Sequence, residues 1–348
     1  MTYIASILGA SGVFLAIPAA TIASKLGGFR VLIIAAVLYS CSYLILAFSP
    51  GFLALAGAFI LASIGFGIFH PVSFSLVARI SKPEEIGRKM GSFTAIGDIG
   101  RIGIAACVTL LVSIINWRNA AFIYGLVPLL MIVAFIGIAR KSAIWTASGS
   151  ANETVHGLHC NTRYIFAIAS SCIDAFASST LFVFIPFLYI HRGASTALLG
   201  ALSGAFFIGN MLGKYFSGRI TDKLGSNRVF ICSEIIMAVL LIGLSSTKNI
   251  LLIVAISVLL GTVTKGTVPV INTIIANSVG DKRLFDKAFG IGSFVNGIAS
   301  VLAPLLFGII IDRYGIAAVF KVSSCFTIIA VIPLLLNGIN DKRKAKIA

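Results

Sequence analysis

The stretch Gly218-Arg219-Ile220-Thr221-Asp222-Lys223-Leu224-Gly225-Ser226-Asn227-Arg228 interrupts two long apolar runs, 195–217 and 228–246. Parts of it occur twice in the chain. Lys223-Leu224-Gly225 repeats Lys25-Leu26-Gly27, and Arg228-Val229 repeats Arg30-Val31, at an offset of 198 residues. The same offset relates Ile231 to Ile33 and Pro269-Val270 to Pro71-Val72. The chain therefore divides into two matched halves, 1–139 and 164–348, joined by a Ser/Thr/Asn/His-rich loop over 140–163. Duplicated apolar halves of this kind place a binding site at the interface between the repeats.

Composition decides what surrounds those repeats. Of 348 residues, 58% are hydrophobic and 11% charged, whereas a soluble domain carries about 25% charged residues. Eleven apolar segments cover 3–22, 30–48, 52–78, 90–116, 119–139, 164–190, 195–217, 228–246, 249–277, 288–311 and 316–338. A run of about 20 apolar residues crosses a hydrocarbon core. A soluble enzyme, a nucleic-acid-binding domain and a disordered chain are excluded. In lipid each segment must satisfy its own backbone, so helices are expected. The alternation of a membrane β-barrel is absent. The fold class is an all-α polytopic membrane protein with about 11 transmembrane helices.

The net charge of +16 reads as topology. Alternate loops hold 20 of the 27 basic residues, Lys214, Arg219, Lys223 and Arg228 among them, while the other loops hold 4. Basic loops are retained in the cytoplasm. The 140–163 loop and the C-terminus are thus expected inside the cell, and the protein in an inner, bacterial-type membrane. The six cysteines are scattered without a CxxC pair, so neither a disulfide framework nor a zinc site is suggested.

The 218–228 stretch resembles the loop motif of the major facilitator superfamily, G-x-x-x-D-[RK]-x-G-x-x-[RK], through Gly218, Asp222, Lys223, Gly225 and Arg228. The N-terminal copy keeps Lys25, Gly27 and Arg30, but Ser24 stands where the acid is expected. The resemblance spans the whole chain. It implies two six-helix halves that rock about a central site, with the motif following the second helix of each half. In the C-half a full segment, 164–190, precedes the one leading into the motif; in the N-half none does. By that comparison the chain lacks helix 1, which lines the cavity in this family. The resemblance also implies that Asp222, with Arg228, locks the cytoplasmic side against a neighbouring helix. Without an acid at Ser24, the lock is expected to be asymmetric.

Ionisable residues inside spans mark candidate chemistry. Arg101 lies in Gly97-Asp98-Ile99-Gly100-Arg101, where it is either an anion-binding cation or an i,i+3 partner of Asp98. Asp98 is a candidate proton carrier. The glycines at 91, 97, 100 and 103 form a small-residue stripe suited to close helix contact. His70, in Phe69-His70-Pro71, is either a proton relay or a kink-site histidine bonded to a carbonyl freed by Pro71. This run, with the glycine-rich segment after it, looks like the fosmidomycin-resistance branch of the superfamily. The proton-linked Arg of the family's helix 4 is missing: Leu61 and Ile64 stand at the matching positions before Gly65. The Gly-Pro pair of the antiporter motif is also absent. Lys265 and Asp174 fall on helices that line the cavity in the family and are candidates to pair. Asn210 and Asn296 are polar candidates. Glu234 and Lys321 fall on helices peripheral in the family, where structural roles are expected.

No P-loop, HExxH or GxSxG motif occurs, so neither ATP-driven pumping nor hydrolase chemistry is indicated. The expected protein is not an enzyme, uses no cofactor or metal, and works as a monomer in the bilayer. It moves a small anionic solute with protons. Drug efflux is the first alternative. A non-transporting sensor, scaffold or decayed fragment is the second.

Overall fold

The structure is a computed structural model that describes the backbone of residues 12–139, 161–179, 181–193 and 196–347. Its helices are α1 (Ala16–Leu26), α2 (Gly28–Ala47), α3 (Phe52–Ile80), α4 (Ile86–Ala139), α5 (Thr162–Ser178), α6 (Leu181–His191), α7 (Thr196–Leu224), α8 (Ser226–Ser246), α9 (Ile250–Val279), α10 (Phe285–Tyr314) and α11 (Ile316–Ile347). No strand occurs among the described residues. Eight helical stretches among them are long and apolar enough to cross a membrane. α4 is two helices in series. Asn116 breaks it at φ 66 and ψ 164. Its Oδ1 caps the second helix, accepting from the N–H groups of Arg118 and Asn119 at 3.0 and 3.1 Å. The apolar segments at 90–116 and 119–139 are those two parts. α5 and α6 share the segment at 164–190.

Burial runs opposite to that of a soluble bundle. Leu53 is 85% exposed and Leu251 76%, while Ser40, Ser73, Ser75, Ser170 and Ser171 are buried. Apolar side chains face lipid, and small polar ones let helices approach.

The repeat is written in the backbone. Gly27 has φ 89 and ψ 134; Gly225 has φ 86 and ψ 137. Each joins two helices through a conformation open to glycine and costly for other residues, which is why the Lys-Leu-Gly triplet occurs twice. Pro71 lies inside α3 and Pro269 inside α9. Short 3₁₀ turns at Pro83–Glu85 and Lys282–Leu284 precede α4 and α10.

Packing divides the chain into two compact units. The first holds Met1–Ile80, Gly103–Leu158 and Asp281–Ile298. The second holds Ser81–Ile102, His159–Gly280 and Ala299–Ala348. The start of α4 thus packs with elements of the later repeat, and the start of α10 with elements of the earlier one. In the first unit α2 packs on α3. In the second, α9 packs against α5, α7 and α8, and α11 against α5 and α8. Leu181, Leu188, Met237, Leu241, Phe307 and Phe320 fill the apolar core of the second unit.

Candidate functional site

In the second unit, the start of α4 crosses α7 at backbone contact. A Cβ added at Gly91 would lie 2.5 Å from the Lys214 carbonyl oxygen and 3.0 Å from Gly218 Cα. One added at Gly218 would strike the Gly87 carbonyl. At one end of this crossing, Asp222 accepts the N–H of Gly87 at 2.9 Å and of Arg88 at 2.8 Å. The carboxylate therefore sits on free amides at the start of a helix, where negative charge is favoured. Burial pushes the Asp222 carboxyl above its ordinary value, against the two amides and the charge of Arg88, which pull it down. Arg228 is not part of this clamp. It is exposed and lines a cavity of about 390 Å³ with Arg163, Asn277 and Asn337. Lys223 is also exposed.

Along the same crossing, Lys214 Nζ donates to Asp98 Oδ2 at 2.6 Å. The two side chains are 8% and 3% exposed. Two sequence expectations change here. Lys214 is no loop residue: α7 runs on to Leu224, past the end of the apolar run at 217, and carries Lys214 inside the fold. The partner found for Asp98 is this lysine, 116 residues away, rather than only its neighbour in the helix. Arg101 lies in α4, but its side chain is outside those described. Of the glycine stripe, Gly91 makes the crossing, while Gly97 and Gly100 meet nothing within 4 Å. The side chain position of residue 103 is also outside those described.

The first unit holds a related crossing, between α1 and α10. A Cβ at Gly290 would lie 2.6 Å from Ala20 Cβ and 3.1 Å from the Ala16 carbonyl. By the 198-residue offset, Ala20 stands for Gly218 and Ser24 for Asp222. Ser24 Oγ turns back to its own helix, donating to the Thr21 carbonyl at 2.8 Å. The acid comes from the opposite helix. Asp286, 3% exposed, accepts from Ser75 Oγ at 2.5 Å and Arg79 at 2.6 Å, both on α3. Lys282 Nζ donates to the Arg79 carbonyl at 3.0 Å. Lys25 and Arg30 are exposed, and Gly27 is buried at its turn. Nothing in the motif pointed to Asp286 or Arg79.

The interior of the second unit gathers a charged cluster. Asp174 on α5 is 6% exposed and Glu234 on α8 is 0% exposed. Thr267 Oγ1, on α9, donates to Asp174 Oδ2 at 3.2 Å. Lys265, half-buried on α9, brings its positive charge to Asp174. Glu234 is a hydrogen-bond neighbour of Asp174, and Ser178 approaches the same carboxyl. Asp174 Oδ1 and both Glu234 oxygens meet no donor among the described residues. Glu234, expected on a helix peripheral in the family, is fully buried on α8, which packs against α9 and α11. Its signal in the sequence was the acid itself, alone in the apolar segment 228–246.

The remaining candidates are dispersed. Asn210 on α7 is 3% exposed, and its Oδ1 meets no donor among the described residues. Asn296 is half-buried on α10 of the first unit. His70 is half-buried in the same unit, its ring centroid 4.3 Å from Phe66 and 5.7 Å from both Phe69 and Phe74. The Ser73 hydroxyl donates to the His70 carbonyl at 3.0 Å, filling an acceptor beside Pro71.

Buried ion pairs on apolar helices, in a duplicated chain, fit a membrane carrier. The family model described as Major Facilitator Superfamily matches residues 1–157 and 167–347. The chain belongs to this superfamily. It is 24% identical over 183 residues to the sialic acid transporter NanX of Escherichia coli, covering 50% of this chain and 45% of that protein. It is 28% identical over 131 residues to the multidrug resistance protein MdtG of Proteus mirabilis, covering 37% of this chain and 32% of that one. The alignments thus span less than half the length of these relatives. Among solved structures, the human organic anion transporter MFSD10 superposes with a TM-score of 0.76 at 16% identity, covering 95% of this chain and 82% of that one. The family match and the helices long and apolar enough to cross a membrane make this chain a multi-pass integral membrane protein of the major-facilitator fold.

Proposed function

We propose that this protein carries a small anionic solute across the cell membrane by alternating access, coupled to protons. One observation carries the reading: charge held inside apolar helices, in the Asp98–Lys214 pair and in the Asp174, Glu234 and Lys265 cluster. Such charge is costly within a bilayer and serves an ion or substrate path. Arg101, Lys265 and His70 are the candidate groups for the anion. Asp98 and Asp174 are the candidates for the proton. The crossings clamped by Asp222 and Asp286 are the gate on the side of the basic loops, which is the cytoplasmic side together with the C-terminus. Substrate binding changes which carboxyl is neutralised, and that difference biases the two states. The likeness to a sialic acid transporter supports an acidic solute.

The test is flux in proteoliposomes challenged with pooled organic anions under an imposed pH gradient. Uptake that follows the gradient, and falls in Lys265→Gln and Arg101→Gln, is the expected result. Anion flux indifferent to the gradient, or unchanged in both variants, would overturn the reading. A second reading, efflux of drugs, is favoured by the likeness to a multidrug resistance protein and by the aromatic surroundings of His70. A resistance profile on overexpression separates the two.

A further inference from the structure

We infer that Asp174 and Glu234 hold one proton between them and form, with Lys265, a proton-exchange site inside the second unit. The inference deepens the proton-coupled reading by naming the residues that hold the proton. It rests on three orphaned acceptors. Asp174 Oδ1, Glu234 Oε1 and Glu234 Oε2 are buried and meet no donor among the described residues. Two ionised carboxylates side by side are acceptors only, so neither can satisfy the other. One added proton turns one carboxyl into a donor and completes the bond between them. A buried acceptor left unsatisfied bears its full desolvation penalty, and the shared proton removes that penalty for the two oxygens it joins.

Charge counting points the same way. With Lys265 positive and one proton on the acid pair, the cluster is neutral. With no proton it carries a net negative charge, and with two a positive one. Net charge inside the bilayer is disfavoured, so the singly protonated state is the resting one. The elements packed around the pair carry few other charges. Glu234 lies on α8, Lys265 on α9, and the charged residue in the apolar part of α11, Lys321, is exposed. The hydroxyls of Thr267 and Ser178 complete the surroundings of Asp174. A cluster balanced in this way releases its proton only when another charge replaces it or when Lys265 moves. Movement of the surrounding helices during transport would supply that change. The pair need not touch substrate to couple it.

The test is infrared spectroscopy of the purified protein in lipid nanodiscs. A protonated carboxyl gives a C=O stretch apart from that of carboxylates, and the band moves on transfer to D₂O. Wild type at neutral pH should show such a band. Glu234→Gln and Asp174→Asn should each abolish it, because the remaining acid then has an amide donor and no need of a proton. A band retained in either folded variant, or absent from wild type, overturns the inference. Should a variant fail to fold, ¹³C-carboxyl labelling of aspartate and glutamate in wild type replaces it, and a band that moves with neither label overturns the inference equally. The transport reading fails separately. A band without proton-linked flux refutes coupling and leaves the pair standing; proton-linked flux without the band does the reverse.

Discussion

Replacing Asp98 with Asn removes the carboxylate 2.6 Å from Lys214 Nζ while the ammonium stays 8% exposed. Breaking a buried pair from one side costs about 3–5 kcal/mol, because the other charge has already left water. Unfolding entropy near 60 °C is about 2.1 cal/mol/K per residue, or roughly 0.7 kcal/mol/K for a chain of this size. The melting temperature in detergent should therefore fall by about 4–7 °C. The control is Asp98→Asn with Lys214→Met. Removing both charges and keeping the volume is close to neutral, so the double variant should regain most of the loss. Glu85→Gln breaks a pair whose partners are 50% and 33% exposed and should not move the melting temperature measurably. Thermal unfolding followed by size-exclusion fluorescence reads all three. A single variant within about 1 °C of wild type, or a double variant no better than the single, would refute the reasoning.

Other outcomes follow from the same geometry. Gly218→Val drives a side chain into the backbone of α4 and should cost at least the roughly 1–3 kcal/mol of an overpacked core. Gly97→Ala and Gly100→Ala, with open space around them, should leave the melting temperature unchanged; equal losses at all three positions would contradict the crossing. The Asp222 carboxyl is shifted up by burial, so its protonation favours the fold as pH falls and its ionisation costs stability above the folded value. Acidification that protonates Asp222 should nonetheless loosen the clamp: the Gly87 and Arg88 amides should lose protection against hydrogen exchange, once corrected for intrinsic rates. Constant protection would show that the carboxylate is not what holds them. Asp286→Asn should open the α3–α10 contact and raise the labelling rate of a cysteine placed at Ser75; an unchanged rate would remove Asp286 from the gate.

The helices were legible because hydropathy is a local signal. Each of the apolar segments carries helix, and the repeated Lys-Leu-Gly became two glycines with nearly equal dihedral angles. The charged partners were not legible, for a physical reason. A run of apolar residues marks where a helix meets lipid, not where it ends. Lys214 reads with the basic loop that follows although it falls within the last residues of the apolar run 195–217, and the helix continues past it to Leu224. Facing is likewise invisible to composition. Glu234 stands in a segment apolar all round, so nothing local shows that its side turns inward. The Asp98–Lys214 and Thr267–Asp174 contacts join residues 116 and 93 positions apart, a distance no window spans. Asp174 and Lys265 were expected to pair, and Lys265 does bring its charge to Asp174, but Glu234 as the neighbour of Asp174 was not foreseen.

The exchange of sides by one carboxylate has a consequence for anyone repairing this sequence toward its family. Judged by the motif, the N-terminal copy is damaged at Ser24. Judged by the helix crossing, the buried acid of this unit is Asp286 on α10, held by Arg79 and Ser75 of α3. Ser24 is one turn beyond Ala20, and Asp286 one turn before Gly290, where α1 and α10 touch. Writing aspartate into position 24 would set two like charges at one crossing. An aspartate at position 24 is therefore expected to weaken the α1–α10 crossing rather than to complete a lock there.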